Sequence, residues 1–425
     1  VLARLRGVAS ARQKEYALTL SNAFAELGIN EKLCQALEQK NFITPTPIQN
    51  RAIPIVMSGQ DVLGIAQTGT GKTAAFALPL LQRLEARGNA GPRALILAPT
   101  RELAIQIGAD IAEFGRHTGL RHVLVFGGVS QNAQVNAVRR GVDIIVATPG
   151  RLLDLMEQGH VRLGNVSCLV LDEADRMLDM GFIRDIRKIL AKVPAERQTL
   201  LFSATMQGEV AKLANDILRR PVRIDITPES PTVEKIKQQV YFVESTAKPG
   251  LLAKLLAGSE FSRVILFTRT KHRANHVAAT LAKNGVVAEA IHGNKSQGAR
   301  QRALEAFRSG KARVLVATDI AARGIDVAGI SHVINYDIPV EPESYVHRIG
   351  RTARNHAEGI ALSFCDATEY GALKDIEKLT RRSIEIAAGA PPVGRVAAAP
   401  AKGNRRGGPS NGQRRPSPGR SRRAA

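Results

Sequence analysis

The sequence predicts an α/β fold of two domains with parallel sheets, followed by a disordered basic tail. Three observations carry that expectation. Short β-branched and aliphatic runs alternate with longer stretches of helical period, the pattern of βαβ units whose sheets are covered on both faces. The alternation occurs twice, on either side of the polar, proline-bearing stretch TPESPTVEK at 227–235. From about Ala387 onward, strand formers give way to Pro, Gly, Arg, Ser and Asn, a composition that buries too little apolar surface to fold.

In chain order, these signals give an N-terminal arm at 1–20, a first domain at 21–226, a linker at 227–235, a second domain at 236–386 and a tail at 387–425. Candidate strands of the first domain are 94–99, 122–128, 142–149, 167–175 and 199–205, with the apolar VLGI before residue 66 as a further one. Those of the second are 238–243, 263–268, 286–293, 312–319, 332–339 and 359–365. A chain of 425 residues, 44% of them hydrophobic, has ample material for two cores. The short polar linker predicts domains that rest apart without ligand.

The formal net charge is +22, so an acidic polymer, nucleic acid above all, is the expected partner. Nine basic residues and no acidic one lie in 391–425. Without an aromatic residue to stack on bases, that tail should bind by charge, with little sequence preference and strong salt dependence. Cys34, Cys168 and Cys365 are far apart, which argues against a disulfide framework or a zinc site and fits a reducing compartment. No apolar run approaches the roughly 18 residues of a membrane span and no secretory h-region is present, so a soluble cytoplasmic protein that does not enter membranes is expected.

The chemistry concentrates in a few strings. AQTGTGKT comprises Ala66, Gln67, Thr68, Gly69, Thr70, Gly71, Lys72 and Thr73, set between an apolar run and a helical one, the context of a phosphate-binding loop. Gly69 and Gly71 let backbone amides turn inward around phosphate, Lys72 can reach the β and γ phosphates of ATP, and Thr73 can ligate Mg2+. The loop departs from the usual pattern in starting on Ala66 rather than Gly. One hundred residues on, LVLDEAD puts Asp172 and Glu173 at the C-terminal edge of a strand, where α/β sheets keep their ligand crevice. There Asp172 can hold Mg2+ and Glu173 can orient and deprotonate an attacking water. Alone, the two acids read equally well as a helix N-terminus; the loop upstream favours catalysis.

Together with PTRELA (99–104), TPGR (148–151), SAT (203–205), TDIAARGIDV (318–327) and HRIGRTAR (347–354), these strings resemble the DEAD-box ATP-dependent RNA helicases over residues 24–365. HGNKSQGAR (292–300) and the basic glycine-bearing tail are most similar to the bacterial RhlE-type subgroup. The resemblance implies two tandem RecA-like domains that close over ATP and RNA. It implies that Phe24 stacks on adenine and Gln49 bonds its edge, where core packing and helix capping would otherwise be the favoured readings. Arg351 and Arg354 resemble arginine fingers for the γ-phosphate, Asp326 a ribose contact, and Ser203 and Thr205 couplers to the domain interface; His347 and Arg348 are not separable from structural roles. Arg101, Gly127, Gly128, Thr148 and Arg151 in the first domain, and Gly293, Arg300 and Thr318 in the second, resemble positions on the RNA backbone. The implied function is RNA-gated ATP hydrolysis driving local unwinding of short duplexes and ribonucleoprotein remodelling, with ribosomal or RNA-decay assemblies as partners. Three positions depart from the family pattern: Asn41 and Ala353 stand where glycine is usual and Asn294 where aspartate is frequent. Ala353 is expected to stiffen the turn between the two finger arginines if that turn needs a positive φ.

Overall fold

A computed structural model of the chain describes residues 23–67, 69–85, 91–206, 208–226, 236–322, 327, 329–353 and 359–392. The N-terminal arm, the linker and most of the tail lie outside the described residues.

The first domain runs α1 (Glu31–Glu38), α2 (Pro47–Met57), β1 (Val62–Ala66), α3 (Lys72–Glu85), β2 (Ala94–Leu97), α4 (Arg101–Phe114), β3 (His122–Val125), α5 (Asn132–Arg139), β4 (Ile144–Ala147), α6 (Pro149–Glu157), β5 (Cys168–Leu171), α7 (Ala174–Asp179), α8 (Ile183–Leu190), β6 (Gln198–Ser203), α9 (Glu209–Ile217) and β7 (Val222–Ile226). The second runs β8 (Ile236–Phe242), α10 (Lys248–Leu256), β9 (Val264–Phe267), α11 (Lys271–Lys283), β10 (Ala288–Ile291), α12 (Gln297–Arg308), β11 (Val314–Ala317), α13 (Asp319–Ala322), β12 (His332–Asn335), α14 (Pro342–Ile349), β13 (Gly359–Cys365), α15 (Tyr370–Thr380) and β14 (Glu385–Ala388).

Each domain holds one seven-stranded parallel sheet. The orders are β3-β4-β2-β5-β6-β1-β7 and β10-β11-β9-β12-β13-β8-β14, so the second is the first with every strand number raised by seven. Central strands are buried on both faces, as a helix-covered parallel sheet requires. Successive side chains feed opposite cores: Ile96 joins the cluster around Phe76 and Phe202, while Leu95 and Leu97 join the one around Leu169 and Met177.

Each of the eleven numbered candidates, and the VLGI run, contains a strand, although 142–149, 167–175 and 312–319 run on into the following helix. Two edge strands, β7 and β14, were not foreseen. Strand β14 also corrects the expected end of the second domain, because it pairs with β8 as far as Ala388. Its four residues are exposed, so the backbone ladder holds them, and composition could not register that.

A charged cluster lies inside the second domain. Lys248, at 0% exposure, donates to a Glu369 carboxylate oxygen at 2.6 Å and to the Tyr336 carbonyl at 3.0 Å, with Asp366 at 3.7 Å. Glu369 also accepts from Arg269 at 2.8 Å and from the Ile338 amide at 3.1 Å. Breaking one side of a buried ion pair strands the other charge. Glu369→Ala is therefore expected to cost about 3 kcal/mol, read as a lower denaturant midpoint of the full chain; an unchanged midpoint would show that Asp366 suffices for Lys248.

Asn41 and Ala353, the two residues standing in for glycine, both sit in the left-handed region, at φ 55° and 54°. Asparagine tolerates that conformation, whereas alanine pays about 1–2 kcal/mol for it. Ala353→Gly, after the entropy glycine loses on folding, is expected to stabilise the chain by up to about 1 kcal/mol. A fall in thermal midpoint would contradict this.

The domains touch. Arg300 at the start of α12 pairs with Glu102 of α4 at 2.9 Å, and Gln297 donates to the same carboxylate at 3.3 Å. This differs from the expectation of domains resting apart: linker composition sets how freely domains move, while these buried polar groups set where they meet.

Candidate nucleotide and RNA site

Sheet order divides the functional residues into two neighbouring groups. The ends of β5, β6 and β1, adjacent in the sheet, carry Asp172 and Glu173, Ser203 to Thr205, and the glycine-rich loop. The ends of β3, β4 and β2, also adjacent, carry Gly127 and Gly128, Thr148 and Arg101.

In the loop, Gly69 and Gly71 adopt φ 86° and 90°, and Thr70 Oγ1 donates to the Gln67 carbonyl at 2.8 Å. Lys72 is buried at the first turn of α3, its Nζ 2.9 Å from the Ala66 carbonyl, and Thr73 follows half-buried. Gln49 is buried beneath the loop: Oε1 accepts from the Thr46 amide at 2.9 Å and Nε2 donates to the Gly71 carbonyl at 3.1 Å. Thus Gln49 serves the helix N-terminus, the alternative weighed against adenine recognition, and also grips the phosphate-binding loop. Phe24 is 3% exposed and packs with Ile29 and Leu33 in the core rather than presenting an open ring face.

Asp172 and Glu173 are buried side by side, the Glu173 amide donating to Asp172 Oδ1 at 3.0 Å. Burial pushes the Asp172 carboxyl above the ordinary carboxylate range, against the pull of Lys72. Burial acts the same way on Glu173, yet Arg176, Lys72 and Arg351 together hold it well below that range. Glu173 is thus a fixed anion ion-paired with Arg176, and its φ of 53° is a left-handed conformation that costs about 1–3 kcal/mol outside glycine. Arg351 comes from the second domain, is 4% exposed, and donates from Nε to the His347 carbonyl at 3.2 Å. Its charge is among those that lower the Glu173 pKa, so a cation of the second domain is felt at the acids of the first.

The sequence reading missed two residues here. Asp175 Oδ2 accepts from the Ala204 and Thr205 amides at 3.1 and 3.0 Å and from Thr205 Oγ1 at 3.2 Å, while Ser203 Oγ accepts from the Asp175 amide at 3.3 Å. The last acid of DEAD therefore ties the SAT segment to the acidic turn. Arg176, three residues after Glu173, was visible as a spacing but was assigned no role. Arg348 proves structural: it is buried in a fork to Asp319 at 2.5 and 2.7 Å and stacked over Phe267. Thr68, Arg354 and Asp326 lie outside the described residues.

On the other half of the edge, three guanidinium groups converge. Burial lowers the Arg101 pKa, and so do the charges of Arg300 and Arg151, with Glu102 opposing. Like charges gathered this closely are stabilised by an anion placed among them. Arg101 lies against Gly128 (φ 78°), where an added Cβ would fall 2.0 Å from its Nη1. Thr148 caps α6 without using its hydroxyl, unlike Thr100, whose Oγ1 accepts from the Leu103 amide at 3.3 Å. Arg151 donates to the Val129 carbonyl at 3.3 Å and pairs with Asp154. Gly293 and Thr318 follow β10 and β11, neighbours in the second sheet. Gly128→Ala is expected to displace Arg101 and weaken RNA affinity roughly tenfold, with ATP hydrolysis in the absence of RNA unchanged; unaltered binding in a filter assay would remove Arg101 from the RNA path.

A crevice holding two buried carboxylates and a lysine-bearing glycine loop, whose Gly69 and Gly71 take positive φ, fits a magnesium nucleotide. Among the described residues no helix is long and apolar enough to cross a membrane.

The DEAD/DEAH box helicase model matches residues 46–213 and the helicase conserved C-terminal domain matches 247–356. The DEAD-box ATP-dependent RNA helicase CshA of Bacillus cereus is 44% identical over 362 residues, covering 85% of this chain and 69% of that protein. The RNA helicase CrhR of Synechocystis is 43% identical, covering 87% and 75%. Among solved structures, Saccharomyces cerevisiae Dbp5 bound to RNA and ADP BeF3 superposes with a TM-score of 0.79 at 33% identity, over 86% of this chain and 96% of that one.

Proposed function

The chain belongs to the DEAD-box helicase family, and from that premise we propose how it works as an ATP-dependent RNA helicase: it joins its two RecA-like domains over ATP and RNA and opens short duplexes locally. The observation that carries this reading is the domain junction itself, where Arg300 and Gln297 of the second domain meet Glu102 of the first and Arg351 lies buried.

The glycine loop and Lys72 hold the phosphates, with Thr73 and Asp172 as ligands for Mg2+. When bound, that ion screens the phosphate charge. Glu173, kept anionic, accepts a hydrogen bond from the attacking water and orients it toward the γ-phosphate, receiving its proton late, because its basicity is low. Arg351, with Arg354 as a second finger, neutralises charge that develops on the phosphoryl oxygens, so turnover requires the domains together. Gln49 links the loop to the start of α2, and Asp326 meets the ribose.

RNA lies over the Arg101, Arg151 and Arg300 cluster, with Gly127, Gly128, Thr148, Gly293 and Thr318 aimed at phosphates and 2′-hydroxyls. Contacts of that kind read sugar and backbone rather than sequence. Because Arg300 pairs with Glu102 beside Arg101, the same residues join the domains and line the RNA path. That shared use supports coupling RNA binding to ATP hydrolysis.

The RhlE-type assignment rests on HGNKSQGAR and the tail alone, the relatives above bearing other names. Cytoplasmic residence and roles in ribosome assembly or RNA turnover belong to the same proposal, with the tail as a charge tether. The test is ATP hydrolysis at fixed salt with no nucleic acid, single-stranded RNA or matched DNA, beside Lys72→Ala and a version ending at Pro392. Stimulation by RNA alone, lost in Lys72→Ala and weakened by truncation, is expected. Equal rates without RNA, or with DNA, would overturn RNA gating.

A further inference from the structure

On the first domain, away from the nucleotide crevice, a cavity of about 650 Å³ opens between α6, the turn after it and α8. Its floor is aliphatic, with Val161 and Leu163 buried and Leu153 and Met156 half-buried, and Ala191 lies at its edge. Its rim is basic, with Arg162, Lys188 and Lys192 against the single carboxylate of Glu157. Lys188 and Glu157 approach at 3.9 Å with both side chains largely exposed, a pairing worth little. Arg162 and Lys192 have no ion-pair partner among the described residues.

We propose that this cavity docks a short acidic segment of another protein, which inserts two or three aliphatic side chains between flanking carboxylates. The volume lies in the range of true binding pockets, and an apolar floor inside a polar rim is the anatomy of a recognition site. Rim charge selects the occupant. The chain's own tail, with nine basic residues and no acidic one from 391 onward, is repelled, and a second copy would set basic rim against basic rim. RNA matches the charge but not the floor, which has no aromatic ring to stack on a base and no side-chain donor or acceptor to read one. An amphipathic acidic helix matches both.

Methionine supplies the test. The chain holds five methionines, and of these only Met156 lines the cavity. The full-length protein is labelled with 13C-methyl methionine, and the Met156 signal is assigned by its loss in Met156→Leu. The probes are the peptide Glu-Asp-Leu-Glu-Asp-Leu-Leu-Asp-Glu, its version with serine for each leucine, and a ten-nucleotide oligouridylate. The leucine peptide is expected to shift the Met156 methyl and saturate below about 1 mM. Affinity should fall about tenfold or more in the Arg162→Glu, Lys192→Glu double variant, whose changes are on the surface. No Met156 shift up to about 1 mM overturns the proposal. An equal shift from the serine peptide, or equal affinity for the double variant, also overturns it. So does a charge-dependent Met156 shift caused by the oligouridylate, which would assign the cavity to RNA instead.

Discussion

Arg351→Ala should lower RNA-stimulated ATP turnover by about 10³- to 10⁵-fold, the largest single effect expected in this protein. The argument starts from burial. At 4% exposure, the guanidinium lies in the domain junction, where its charge already reaches Glu173. In so dry a place, an oriented cation acts on phosphoryl charge far more strongly than in water, and it needs no rearrangement at the moment of reaction. Because this contribution belongs to the transition state, kcat should fall while the affinities for ATP and RNA change little. Arg351→Lys should recover only part of the loss, since an ammonium lacks the planar fork. A kcat within tenfold of wild type, in a variant with an unchanged melting curve, would remove Arg351 from the reaction.

Glu173→Gln is the second large effect, an expected fall of about 10²- to 10⁴-fold in the chemical step. The amide keeps the shape of the side chain and can still donate or accept, but it takes up no proton and carries no charge against Arg176, Lys72 and Arg351. Binding of ATP and RNA should survive, so the variant should hold both in a long-lived complex, visible as slow RNA release in the presence of ATP. Single-turnover hydrolysis separates this from slow product release. Hydrolysis at the wild-type rate would show that another group orients the water.

The two halves of the site were not equally legible. Strings such as AQTGTGKT and DEAD advertise themselves because phosphate binding needs glycine amides and a lysine at fixed spacing, and buried central strands read as apolar runs. The edge strands were hidden for the opposite reason: β7 is only partly buried and β14 not at all, and a backbone ladder leaves no mark on composition. Asp175 lay in plain view within DEAD, yet its bonds to Ala204 and Thr205 join residues about 30 apart in sequence, and no local pattern announces such a pair. Gln49 shows a contact that neither reading of the residue contained, since one amide group serves a helix end and also binds the Gly71 carbonyl of the loop. Ala353 departs from the glycine of the family pattern, and the structure gives that departure its physical setting, a left-handed turn two residues after Arg351.

The Lys248 cluster acquires a further meaning from the shift of seven in strand numbering. Strand β8 occupies in its sheet the place β1 holds in the other, and Lys248 opens the helix after β8 as Lys72 opens the helix after β1. Each lysine stands six residues beyond the last residue of its strand, Ala66 or Phe242. The first lysine can turn toward a phosphate that comes and goes. The second is already answered by the carboxylates of Glu369 and Asp366, which belong to the chain itself. In one domain the lysine's place is open to an anion from outside, while in the other the chain's own carboxylates fill it. On the proposed reading that asymmetry gives the pair a direction: nucleotide is taken up at the first domain, and the second, its equivalent place already filled, contributes Arg351.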